Sequence, residues 1–532
     1  MKTAHEMDHS EEKSKESSAL DYDDVTYGHN GIKGLLASPY VVGAAFLASL
    51  GGFSFGYDQG VISLILTMDQ FHNRFPETKP GHPGQGFYTG FMTAMLELGA
   101  FLGCLVYPWV ADRYSRKWGL SIAVVWFTVG AVIQTAAVDY GMLVAGRTIG
   151  GVGVGTLALG APLYISEVSP PNLRGSLLVL ETFSIVIGAI IAYWITYGTA
   201  EMAGEWSFRL PFLLQIAPAL CLGLGIHFFP FSPRWLCMRD RSEDSLQSLS
   251  RLRRLPVDDH RVQLEWRGII AEVRVQREVS RRHHGDKTGF RLEISEWIAL
   301  FKPKYWRRTM IAMAIPFFQQ FSGINAFVYY APTLFAALGQ DKDMSLILSG
   351  MINICQLVGA CVPTIYLDQM GRRRLAIAGG IMMGIPHAIL AGLVGSFNTS
   401  WQSHPGPAWF AVALVYIYVL MYGLTYGPLG WTLPSEVYPN TVRAKGVGLA
   451  VAVNWIANFI IGVSVPPMLQ GIGFGTYIFF ACFCFLAAVF SWFFVPETSN
   501  LTLEQIDGLF KDNSGVEEAV IRETIANEVM RS

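Results

Sequence analysis

This sequence predicts an all-α membrane protein with about twelve transmembrane helices in two six-helix bundles. Three observations carry that prediction. Charged residues make up 15% of the 532, and hydrophobic residues 52%; soluble domains carry about 25% charge. Apolar runs long enough to cross about 30 Å of hydrocarbon recur along the chain. One polar, arginine-rich segment, 232–307, divides those runs six and six. The expected partner is therefore the lipid bilayer. A net charge of −2 and the lack of a basic domain beyond that segment make nucleic acid an unexpected partner. The seven cysteines lie in or beside apolar runs with no C-x-x-C spacing, so neither a metal, a cofactor nor a disulfide framework is expected. No phosphate loop, dinucleotide fingerprint or nucleophile–base constellation argues for an enzyme.

Residues 1–40 are polar and mostly acidic and read as a disordered tail, leaving the first span as its own insertion signal. Spans are expected near 41–66, 87–111, 119–137, 141–165, 176–198 and 210–231. A second set follows near 308–336, 344–367, 375–397, 408–433, 447–470 and 474–495. The units are thus a tail at 1–40, a bundle at 41–231, a helical linker at 232–307, a bundle at 308–495 and a tail at 496–532.

Orientation follows from lysine and arginine in the connections. Arg113, Arg116, Lys117, Arg174, Arg372, Arg373, Arg374, Arg443 and Lys445 share one side with the linker; the other side carries only Arg74, Lys79, Arg209 and Lys342. The first side is expected to be cytoplasmic, with both termini. Asn398-Thr399-Ser400 then lies outside as a glycosylation acceptor pattern. In the linker, Ser242–Leu255 and Val262–Ser280 space apolar residues at three and four, as amphipathic cytoplasmic helices do.

The halves repeat. Asp112-Arg113-Tyr114-Ser115-Arg116-Lys117 returns as Asp368-Gln369-Met370-Gly371-Arg372-Arg373. Ser166-Glu167-Val168-Ser169-Pro170 with Arg174 returns as Ser435-Glu436-Val437-Tyr438-Pro439 with Arg443. Positive charge sets topology, but that does not explain the glutamates. Paired across the bundle interface, Glu167, Glu436, Arg116 and Arg372 would form a cytoplasmic gate, with Asp112, Arg174, Asp368 and Arg443 of the same repeated loops beside them.

Within the spans, Asp58 in span 1 is a carboxylate that needs a partner, and Arg147 in span 4 is the candidate. A pair that breaks when Asp58 takes a proton is a coupling device. Glu181 in span 5 is a further membrane acid. Span 7 holds Gln319, Gln320, Ser322, Asn325, Tyr329 and Tyr330 in an uncharged run. At roughly 100° per residue, all but Gln320 fall within a face about 160° wide, and Gly323, midway along the run, is a point where the helix can loosen. Neutral amides beside aromatic faces suit a neutral polyhydroxyl ligand. Span 8 adds Asn353, span 10 Trp431 after Gly-Pro-Leu-Gly, and span 11 Asn454. The flat indole of Trp431 suits the apolar face of such a ligand.

The chain resembles the sugar porter family of the major facilitator superfamily. The matching pieces are Gly51-Gly52-Phe53-Ser54-Phe55-Gly56-Tyr57-Asp58-Gln59-Gly60-Val61, Gly146-Arg147, the repeated loop motifs, Gln319-Gln320-Phe321, Gly323-Ile324-Asn325 and Pro496-Glu497-Thr498. The resemblance implies the major facilitator fold and a sugar site lined by Gln319, Gln320, Asn325, Asn353, Trp431 and Asn454. Tyr329 joins that set from the wheel. It also implies proton coupling, since sugar–proton symporters carry Asp where this chain has Asp58, and it adds Glu497 to the gate. Span 1 and Val179-Leu180-Glu181 look most like fungal members, glycerol–proton symporters among them. Three positions depart from the family pattern: Thr182 where many members have a sugar-contacting Gln, Ser115 for Gly, and Phe231 where the family has Glu. The expected function is import of a monosaccharide, hexose or pentose, with a proton at the plasma membrane. The alternatives are a polyol–proton symporter, efflux of another small polar metabolite, and a nutrient receptor on a carrier fold.

Overall fold

The computed structural model describes the backbone of residues 27, 38–285, 287, 289–398, 400–499, 501, 505–506, 509–510 and 514–531. Most of the expected 1–40 tail lies outside these residues. Among them, twelve helical segments are long and apolar enough to cross a membrane. The first six spans are α1 (Pro39–Ile65), α2 (Gln85–Tyr114), α3 (Arg116–Ala136), α4 (Tyr140–Val168), α5 (Arg174–Thr199), and a sixth built of α6 (Trp206–Leu214) and α7 (Ile216–Gly225). The linker contributes α8 (Pro233–Met238), α9 (Ser242–Arg253), α10 (His260–His284) and α11 (Phe290–Ala299). Span 7 is α12 (Trp306–Phe321) and α13 (Ile324–Ala337); spans 8 and 9 are α14 (Lys342–Met370) and α15 (Arg372–Phe397). Span 10 is α16 (Pro405–Leu424) and α17 (Tyr426–Val437), followed by α18 (Asn440–Gly471), α19 (Gly475–Phe494) and, after the spans, α20 (Ser514–Arg531).

Lipid offers no hydrophobic drive between helices, so small residues decide which helices touch. A Cβ on Gly56 of α1 would fall 1.8 Å from the Ile185 carbonyl oxygen of α5, and one on Gly188 of α5 would fall 2.3 Å from that of Phe53. Gly99 and Gly103 of α2 meet α4 carbonyls in the same way, and Gly151 and Gly155 of α4 return the contact. Backbone therefore lies on backbone in the first bundle.

The two bundles are sealed at the end opposite the linker, the far face. There α1, α13, α16 and α18, with the short helix Asp69–Arg74, share one apolar core that includes Tyr57, Ile62, Phe71, Phe335, Tyr418 and Val465. Hydrogen bonds cross the seam: Gln470 Nε2 to Gln85 Oε1 at 2.6 Å, and Tyr193 Oη to the Leu346 carbonyl at 2.7 Å.

At the linker face the repeat is visible in the backbone. Ser115 and Gly371 stand just before α3 and α15 with φ of +129° and +78°. Ser115 also caps α3, its Oγ accepting from the Trp118 amide at 3.1 Å. The linker helices pack beneath the first bundle, with Leu249, Leu252, Val262 and Val273 buried. Trp235 Nε1 donates to the Asp112 carbonyl, and Arg253, bound to Glu265, also reaches the Val168 carbonyl. α20 rests on α10 through Ile521, Val275 and Val279.

Candidate functional site

Gly323 divides span 7. Its φ of +98° lies where only glycine sits without strain, and a Cβ there would meet the Phe480 ring at 2.8 Å. The break frees the Ser322 carbonyl, which takes hydrogen bonds from His387 Nε2 and Tyr418 Oη, both at 3.0 Å. A second kink, at Tyr330 (φ −118°, ψ 19°), precedes Pro332, whose ring disfavours helix in the residues before it.

Around this break the buried amides form one hydrogen-bonded chain. Asn325 Nδ2 donates to Gln320 Oε1 at 2.6 Å and to Asn458 Oδ1 at 2.7 Å. In one direction Gln320 donates to Asn454 Oδ1 at 3.0 Å, and Asn454 to Gln319 Oε1 at 2.7 Å. Gln319 then donates to the carbonyls of Tyr426 and Gly427 at 3.0 and 3.1 Å. In the other direction Asn458 Nδ2 donates to Tyr329 Oη at 3.2 Å, and Tyr329 donates to Glu97 Oε1 across the bundle seam. Gln59 of α1 also donates to Tyr329 Oη, at 3.1 Å.

The structure thus brings Gln319, Gln320, Asn325, Tyr329 and Asn454 together. Gln320 belongs to the cluster although the wheel put it outside the polar face, because the Gly323 break resets the helical register. Asn353 is buried on α14, and its side chain makes no hydrogen bond among the described residues. Trp431 is 38% exposed, next to Gly430, which packs against the Gln319 amide.

Arg147 Nη2 stands 3.2 Å from Asp58 Oδ2 and 3.2 Å from the Thr93 carbonyl. Asp58 and Arg147 are 0% and 1% exposed. Glu181 is buried beside Gly52, six residues before Asp58 on α1 and so about 9 Å toward the linker face.

Sequence reasoning missed Glu97 and Asn458. Glu97 is the one charged residue between Gln85 and Ala111, so the rule that singled out Asp58 applies to it equally. Asn458 follows Asn454 by one helical turn, which puts both on one face.

The gate requires a correction. Among the described residues, Arg116 and Arg372 pair with acids of their own bundle rather than across the interface. Arg116 holds Asp112 at 2.8 Å and Glu167 at 3.0 Å in the first bundle; Arg372 holds Glu436 at 2.8 Å in the second. The physical reason is local: Asp112 precedes Arg116 by one turn, and each glutamate ends the span packed beside its own arginine. Glu497 accepts from the Arg372 amide at 2.7 Å, capping α15. In the first bundle Phe231 stacks on Trp235 with centroids 5.6 Å apart, and Lys117 Nζ lies 4.9 Å over its ring. Arg443 donates to the Tyr438 carbonyl at 3.3 Å, and Arg174 is exposed. The Asp368 side chain lies outside the described residues, as does Thr399; Asn398 is exposed. Between the linker and the second bundle, Lys445 of α18 pairs with Glu293 and Glu296 of α11. Burial holds the Glu296 carboxyl above its usual range against the pull of Lys445.

The model for the family of sugar (and other) transporters matches residues 44–510. The MFS glucose transporter mfs1 of Aspergillus flavus is 32% identical over 488 residues, 87% of this chain and 88% of that protein. A high-affinity glucose transporter of Kluyveromyces lactis is 31% identical over 89% of this chain and 85% of its own length. Among solved structures, the proton:xylose symporter XylE bound to 6-bromo-6-deoxy-D-glucose superposes with a TM-score of 0.72 at 28% identity, covering 89% of this chain and 99% of that one. A partially occluded inward-open form of XylE from E. coli gives 0.71 at 25% identity, covering 87% and 100%. With a broken seventh span, a buried amide chain, a duplicated loop motif and a family match over nearly all its length, the chain belongs to the sugar porter family of the major facilitator superfamily.

Proposed function

We propose that this chain imports a monosaccharide together with a proton by alternating access at the plasma membrane, with both termini and the linker in the cytoplasm. The observation that carries this reading is the buried amide chain from Gln319 to Tyr329, which presents neutral donors and acceptors and no cation. A sugar hydroxyl both donates and accepts, so it exchanges bonds with such amides at little net loss. Trp431 and Asn353 would complete the pocket as it forms around the ligand. The Asp58–Arg147 pair serves as the coupling element, because protonation of Asp58 cancels the charge that holds the guanidinium. The intrabundle ion pairs at the linker face hold each half-gate in shape. Asn398 is the glycosylation acceptor of the outer surface. The two named glucose transporters and the proton:xylose symporter support the same substrate class.

The test is uptake of labelled glucose, xylose and glycerol in a cell lacking its own carriers, with and without a protonophore. Concentrative uptake of a monosaccharide that collapses with the protonophore is expected. Glycerol as the one substrate moved would replace the sugar with a polyol, and uptake indifferent to the protonophore would remove the proton.

A further inference from the structure

Glu97 has no role in the mechanism just described, yet it ends the amide chain. It is 1% exposed, and its Oε2 has no hydrogen-bond partner among the described residues. Thr93, one turn earlier on α2, gives its carbonyl to Arg147, so Glu97 shares a helix face with the group that holds Arg147. The groups around Glu97 are Asp58 from α1, Arg147 from α4, Tyr329 and Tyr330 from α13, and the neutral Asn458 from α18. The charges of α3, Arg116 and Lys117, stand at the linker face. Two buried acids therefore share one buried base. Asp58 Oδ1 and Arg147 Nε and Nη1 are also without hydrogen-bond partners among the described residues. With both acids ionised the cluster carries an uncompensated negative charge out of water, a costly arrangement. One proton makes it neutral.

The direction of the hydrogen bonds ties this proton to the pocket. Tyr329 Oη accepts from Gln59 and from Asn458, which fills its acceptor sites, so its own proton goes to Glu97. Asn458 can donate to Tyr329 in this register because its Oδ1 is occupied by Asn325, and Asn325 divides its two amide hydrogens between Asn458 and Gln320. A hydroxyl seated on these amides must displace at least one of those bonds.

We propose that Glu97 is a second proton-binding carboxylate of this carrier, and that Tyr329 is the positioning residue that links its protonation to occupancy of the amide pocket. Proton binding forms an O–H bond at Glu97 Oε2; release returns the proton to water and leaves the carboxylate. The inference rests on the reading of the chain as a proton-coupled sugar carrier and names a residue of that machinery.

The test is infrared difference spectroscopy of the purified full-length protein in lipid vesicles, with glucose as the probe, beside uptake into the same vesicles. The wild type is expected to show a buried carboxylic C=O band that glucose shifts. Glu97→Gln loses the band, and its uphill accumulation falls about tenfold, within the range of coupling between two sites, while downhill exchange persists. Glu97→Asp restores the band, which excludes simple misfolding. Tyr329→Phe keeps the band but abolishes its response to glucose. An unchanged band in Glu97→Gln, or none in the wild type, overturns the proposal. A wild type that shows the Glu97 band but moves no sugar supports the proton site and overturns the sugar reading instead.

Discussion

One guanidinium nitrogen of Arg147 lies 3.2 Å from Asp58 and 3.2 Å from the Thr93 carbonyl, so a single group joins α1, α2 and α4. Removing the charge of Asp58 leaves Arg147 to find its counter-charge elsewhere; breaking a buried pair typically costs about 3–5 kcal/mol. Asp58→Asn is expected to abolish uphill sugar accumulation while leaving some exchange down a gradient. Accumulation ratios in vesicles with an imposed pH gradient measure this. A variant that still concentrates sugar like the wild type would take Asp58 out of the coupling role.

Gln320 joins Asn325 to Asn454, and the residue is 6% exposed. Truncation leaves Asn454 Oδ1 and one Asn325 hydrogen without their partners, at about 1–3 kcal/mol for a buried orphan. Gln320→Ala should raise the KM for sugar roughly tenfold or more, since 1.4 kcal/mol is a factor of ten, with surface expression unchanged. Concentration-dependent uptake beside surface labelling reads both quantities; an unaltered KM counts against the span 7 pocket.

Gly323 combines a left-handed backbone with contact against Phe480. An alanine there takes on both a φ penalty of about 1–3 kcal/mol and a steric shift of the ring. Gly323→Ala should lower the melting temperature of the purified protein and abolish uptake. A variant that melts and transports like the wild type would show that the break is not required.

Ser115 holds φ +129° and ψ 162°, a region that is almost entirely glycine's, whereas its repeat partner at 371 is glycine. Losing its cap bond to Trp118 in favour of glycine costs only a few tenths of a kcal/mol, less than the strain released. Ser115→Gly is expected to stabilise the protein by about 1 kcal/mol, seen as a higher melting temperature. A lower one would mean that the cap outweighs the backbone.

The spans, their number and the duplicated loops were legible because hydropathy and arginine placement act over whole helices. So was the break at Gly323, since glycine amid buried amides has few other uses. Gln320 was misplaced because a wheel assumes an unbroken helix. The partners of Arg116 and Arg372 were misassigned because matching motifs in two halves do not say whether charges meet within a half or between halves. Glu97 was overlooked although the rule that singled out Asp58 applies to it; what the sequence could not show is its partner, Tyr329, 232 positions away.

The glycine contacts between α1 and α5, and between α2 and α4, set carbonyl oxygens against bare α-carbons, with no side chain between to re-pack. Each of those helix pairs is consequently stiff. The second half is jointed, at Gly323 and Tyr330 in span 7 and at Thr425 (φ −123°, ψ −84°) in span 10. Any stroke of this machine is therefore lopsided: one half supplies the anvil, and the other does the bending.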